Sequence, residues 1–100
     1  MTKKRKNLTD GPILLNATTG KRTPVEPANG TNFAGKELYR LLNCRLVERI
    51  FLGNGTHCMW VDGDGLVVDE ENIKENYWAS MITGQRIVGN ALICRIEEVL

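Results

Sequence analysis

Along residues 45–62, RLVERIFLGNGTHCMWVD, two largely apolar runs of strand-favouring residues are joined by the polar pair Asn54-Gly55. Strand-favouring runs on both sides of an Asn-Gly pair predict an antiparallel hairpin closed by a type I′ turn. A two-residue loop fixes the register, setting Leu52 opposite His57, Phe51 opposite Cys58, Ile50 opposite Met59, Arg49 opposite Trp60 and Glu48 opposite Val61. One side of the ribbon then carries Leu46, Ile50, Leu52, Met59 and Val61, the expected core. The other carries Val47, Phe51, Cys58 and Trp60 around the charge of Arg49, so both sides are partly apolar.

The same patterning places the remaining elements. Ile13-Leu14-Leu15-Asn16 and Arg22-Thr23-Pro24-Val25-Glu26 flank the Gly-containing connection of residues 17–21, which predicts a looser hairpin. Pro24 has no backbone donor and puts the second arm at a sheet edge. Leu38, Leu41 and Leu42 form one stripe of a helix over 33–43, with Thr31 or Asn32 as N-cap and Gly35 weakening its first turn. Asp62-Gly63-Asp64-Gly65 reverses the chain and Leu66-Val67-Val68 continues as a short extended stretch. Asp69 is the expected N-cap of a helix over 70–82, with Glu70 and Glu71 at its positive end, Ile73, Tyr77 and Met81 as the stripe, and Gly84 as the left-handed stop. Residues 91–97 alternate, with Leu92, Cys94 and Ile96 on one face and Gly89-Asn90 as a preceding bend. The order is ββαββαβ. It predicts a single α+β domain over 11–100: a mostly antiparallel sheet of about five strands, both helices on one face and the other face partly free.

Composition adds limits. One hundred residues, 42% hydrophobic and 25% charged, suit one soluble domain, and no apolar run approaches a membrane span. Cys44, Cys58 and Cys94 are an odd, widely spaced set, which fits free thiols in a reducing cytoplasm. The net charge of +1 is unevenly spread: nine Lys or Arg stand against three acids through Arg45, and four against nine after it. Part of the positive half is the arm of residues 1–10, expected to be disordered, where Lys3, Lys4, Arg5 and Lys6 lead into a polar stretch and not the apolar core of a signal peptide.

No catalytic signature emerges. Cys44, His57, Cys58 and Cys94 are four potential zinc ligands, yet they lack the close pairing of structural zinc sites, and neighbouring strand residues 57 and 58 point to opposite faces. The same divergence argues against a cysteine nucleophile served by His57. Asp62, Asp64, Asp69, Glu70 and Glu71 suggest a calcium loop, but counting from Asp62 puts Leu66 at position five and Ile73 at position twelve, so turns and helix capping explain the acids better. Neither Gly53-x-Gly55 nor Gly63-x-Gly65 has the strand-to-helix setting of a phosphate loop. No metal or other cofactor is called for.

Glu37-Leu38, Leu46-Val47-Glu48, Val61-Asp62, Asn76 with Ala79, and Ile87-Val88-Gly89-Asn90-Ala91-Leu92-Ile93 together resemble the bacterial and phage family called domain of unknown function 3846, over roughly residues 12–96. The chain departs from the family pattern at Asn43-Cys44, where members carry a glycine pair. The resemblance implies a small α+β accessory protein of phages or mobile elements, and transfers no site residues. The residues themselves direct attention to Val47, Arg49, Phe51, Cys58 and Trp60. This patch is either sealed in a two-sided core, a homodimer interface, or a platform stacking a planar anion such as a nucleotide between Trp60 and Arg49. The expectation is a non-catalytic binding protein, with a host protein or nucleotide-like ligand as partner and counter-defence as the sharpest version. One alternative is a nucleic-acid accessory protein using Lys3, Lys4, Arg5 and Lys6. The other is a metal-dependent hydrolase using Asp62, Asp64 and Glu71.

Overall fold

The computed structural model describes residues 11–53, 55–63 and 74–99. In chain order it contains β1 (Ile13–Leu15), β2 (Arg22–Pro24), α1 (Gly35–Leu42), β3 (Val47–Phe51), β4 (His57–Asp62), α2 (Tyr77–Thr83), β5 (Ala91–Arg95) and a closing 3-10 turn (Ile96–Glu98). The strands form one sheet in the order β2-β1-β5-β4-β3, with every neighbouring pair antiparallel. This is the expected α+β class, and β3 and β4 pair in the expected register, from Glu48 opposite Val61 to Phe51 opposite Cys58. The Leu52 amide donates to the His57 carbonyl (3.1 Å) and the Gly55 amide to Leu52 (3.3 Å), with Gly55 at φ 80°. The type I′ geometry expected at Asn54 lies outside the described residues, as does the arm of residues 1–10.

The helices do not share a face. Rows across the sheet run Thr23, Leu14, Leu92, Trp60, Arg49 on one side and Pro24, Ile13, Ile93, Met59, Ile50 on the other. On the first side Leu38 and Leu42 of α1 pack with Phe33, Cys58, Leu92 and Cys94. On the second, Ala79 of α2 packs with Ile13, Leu15, Met59, Val61, Ile87 and Ala91. The expectation of both helices on one face is therefore corrected: the sheet is sandwiched, because both of its faces carry apolar rows. Burying Leu38 and Leu42 alone contributes about 1.5–3 kcal/mol each.

Two helix boundaries also differ. Phe33 forms a bridge with Val99 and is 1% exposed, so α1 starts after Ala34 and not at Thr31 or Asn32. Glu37 substitutes for a cap by accepting from the Ala34 and Ala28 amides, both at 2.8 Å. Those two amides hold its carboxyl below the ordinary value of 4.5. The second helix begins at Tyr77, since Glu75 pairs with Val88 in a bridge and Asn76 is the N-cap; the expected cap at Asp69 lies outside the described residues. Tyr77 and Met81, expected in the buried stripe, are exposed, and so is Leu46; the buried helix residue is Ala79.

Asn76 explains this shift. Buried to 1% exposure, its side chain accepts from the Ala79 amide (3.1 Å) and donates to the Leu15 and Gly89 carbonyls (2.9 Å each). One amide thus starts α2, anchors β1 and fixes the bend at Gly89, whose φ is 80°. Gly84 ends the helix in the left-handed conformation, as its position predicts.

Candidate functional site

β3 is an edge strand, and the alternation of an antiparallel ladder decides which way its backbone points. The bonds at Leu52 with His57 and at Gly63 with Leu46 set the even-numbered residues of β3 as hydrogen-bonded to β4. Val47, Arg49 and Phe51 therefore turn their N–H and C=O groups outward, and none of these finds a partner among the described residues. Their side chains all lie on the α1 side of the sheet. There Val47 packs against the Leu38 cluster, Phe51 is 59% exposed, and the Arg49 guanidinium lies 4.5 Å from the Phe51 ring centre and 5.5 Å from that of Trp60. The last pair is a non-hydrogen-bonded rung, the kind that brings side chains closest.

The five residues singled out by sequence thus divide. Arg49 and Phe51 are at the surface, Val47 and Trp60 are half-buried, and Cys58 is fully buried. An open platform made of all five is corrected to an exposed rim over an interior floor, because α1 covers the inner end of the row. Cys58 sits directly opposite Cys94 on β5, and both are 0% exposed. Burial pushes both thiols up, with the Trp60 indole pulling weakly the other way on each. That polar contact falls short of a hydrogen bond, leaving Trp60 Nε1 buried without a partner, at a cost of about 1–3 kcal/mol. Neutral, enclosed thiols are poor nucleophiles.

Of the other sequence candidates, Cys44 packs beside this patch and His57 does not. Cys44 is half-buried against the α1-side cluster with Cys58 and Cys94, whereas His57 lies on the other face of β4 and its Nδ1 meets the Thr56 hydroxyl at 2.7 Å. Among the described residues, no three of His, Cys, Asp and Glu come together in an arrangement able to hold a metal. A small cleft of about 110 Å3 on the α2 side of β3 is bordered by Glu48, Ile50, Arg86 and Ile87 and reaches Asp62 at the end of β4, where the register opposite Val47 turns the Asp62 side chain to the α1 side. Asp64, Asp69, Glu70 and Glu71 lie outside the described residues, as do Lys3, Lys4, Arg5 and Lys6. No described helix is long and apolar enough to cross a membrane.

Sequence reasoning missed a second aromatic station at the opposite end of the sheet. Trp78 of α2 stacks under Arg22 of β2 at 4.3 Å, meets Tyr77 edge-on at 5.5 Å and donates to the Gly20 carbonyl (3.2 Å). A helix whose only buried residue is Ala79 leaves its large neighbours turned outward, and the three-residue spacing from Asn76 to Ala79 is the signal that could have shown it. Comparison with known protein families, curated proteins and solved structures finds no match for this chain.

Proposed function

We propose that this chain is a non-catalytic interaction protein that takes an extended strand of a protein partner onto the outer edge of β3. The observation that supports this reading is the row of outward backbone groups at Val47, Arg49 and Phe51, set beside an exposed phenyl ring and an exposed guanidinium. Main-chain bonds would supply affinity and the two side chains selectivity, as in other strand-addition modes. The resemblance to a phage-associated family supports a setting as an accessory or counter-defence protein acting on a host protein.

Geometry disfavours the nucleotide-like ligand. A planar group held between Trp60 and Arg49 needs about 7 Å, two van der Waals contacts in series, and the guanidinium stands 5.5 Å from the ring centre. Arg49 would have to leave both rings. A homodimer joined edge to edge is the weaker occupant of β3, because it sets Arg49 against its own symmetry mate.

Amide exchange measured by NMR on dilute protein of verified monomeric mass tests the reading. The Val47, Arg49 and Phe51 amides should exchange much faster than those of Glu48 and Ile50, which face β4. Equal protection of all five in the monomer would mean that the chain covers its own edge, and the proposal would fail.

A further inference from the structure

We infer that the strand accepted by β3 is an acidic-centred segment of another protein, one that places a carboxylate opposite Arg49, a cation opposite Glu48 and apolar side chains opposite Val47, Ile50 and Phe51. The inference rests on the strand-addition reading above and names its partner. Arg49 and Glu48 are adjacent in β3 and project to opposite sides of the sheet, and neither has an ion-pair partner among the described residues. An added strand therefore meets a positive position at the centre of its α1-side row and a negative one at the next position on the α2 side. Opposite-charge pairs directly across a ladder favour pairing and like charges oppose it.

This charge pattern distinguishes a foreign strand from a second copy of the chain. Antiparallel self-pairing with the most backbone bonds joins Val47 to Phe51, and so sets Arg49 against its own symmetry mate and Glu48 against Ile50. Sliding by two residues relieves the arginines but brings either Glu48 against Glu48 or leaves only Arg49 and Phe51 as the bonded rungs. No register of the strand with itself satisfies both charges and keeps the full ladder. A segment running antiparallel with the order apolar, apolar, acidic, basic, apolar satisfies both.

The experiment uses the full chain and two capped peptides, one with the core Val-Ile-Glu-Lys-Val and one with the central charges exchanged, Val-Ile-Lys-Glu-Val. Isothermal titration should show the first binding about tenfold tighter, the sum of two favourable pairs replaced by two like-charge pairs. The double variant E48K/R49E should invert the preference. In the 15N spectrum the Val47, Arg49 and Phe51 amides should become protected on binding. Absence of saturable binding, equal affinity for both peptides, or protection at other residues would overturn the inference. So would a peptide-free protein that sediments as a dimer with those three amides already protected; strand addition would then stand with a second copy as occupant. Protection in a peptide-free monomer would remove strand addition itself.

Discussion

The two edges of this sheet are built in opposite ways. β2 is three residues long, and the bonds from Val25 to the Pro12 carbonyl and from Asn16 to Lys21 set Thr23 as its bonded rung, so the nitrogen of Pro24 faces outward. A proline there removes the donor that a foreign strand would need, and Arg22 is drawn back over Trp78. β3 is five residues long, has no proline, and turns three donors and three acceptors away from β4, without a partner among the described residues. Both edges set an arginine over a tryptophan, but only one is closed in the backbone. The difference lies in the main chain: a charged or aromatic surface is present at either end, while among the described residues β3 alone has an outer row of backbone donors without a proline, which is the feature the strand-addition proposal draws on.

Three experiments sharpen that contrast. The largest effect is expected from Asn76→Ala, because Asn76 holds β1, and through it β2, to α2. Removing it leaves the Leu15 and Gly89 carbonyls and the Ala79 amide short of a partner. The loss should be about 3 kcal/mol or more in urea unfolding, and exchange should accelerate in β1 before β3. Accelerated exchange first at β3 would show that the open edge, not the closed one, depends on this anchor. Pro24→Val is expected to move stability by no more than about 1 kcal/mol, yet to add an outward amide at residue 24 that exchanges as freely as that of Arg49. A slow amide there would mean that β2 is covered by something other than its proline. The smallest effect concerns pH. Glu37 has a folded pKa depressed by the Ala34 and Ala28 amides, so its contribution is complete above 4.5 and disappears as the pH falls through the folded value. Loosening should begin in the turn of residues 27–34 that follows β2, and Glu37→Gln should flatten this part of the pH profile while leaving β3 unaffected.

Much of this arrangement was legible in the chain. The β3 and β4 register followed from the two-residue turn at Asn54-Gly55 between strand-favouring runs, since a slip of one residue would turn Met59 and Val61 to the other face. Pro24 announced an edge, and Gly84 a helix stop. The placement of the helices was less legible, although a hint existed: Val47, Cys58 and Trp60 made the second side of the hairpin too apolar to stay uncovered. Two helices on one face is a common architecture, and nothing in the local pattern of α1 or α2 says which face each covers. The start of α2 was missed because Asp69 with its following acids forms a better N-cap by propensity than Asn76 does. Tertiary bonding selects Asn76 for the described helix, since its side chain also serves Leu15, a residue 61 positions away. For the site, sequence identified the rim but not how deep each member lies, because the cover over Cys58 comes from α1, whose side of the sheet no local pattern specifies.

The orphaned indole nitrogen of Trp60 also makes the open edge optically distinct. The chain has two tryptophans. That of Trp78 is anchored to the Gly20 carbonyl; that of Trp60 sits enclosed, in a cluster with Cys58 and Cys94 and with the Arg49 guanidinium 5.5 Å from its ring centre. Intrinsic fluorescence from a Trp78→Phe protein would therefore report on β3 alone, shifting in colour or intensity when an incoming strand brings a carboxylate beside Arg49 and its neighbouring indole, and requiring no added dye.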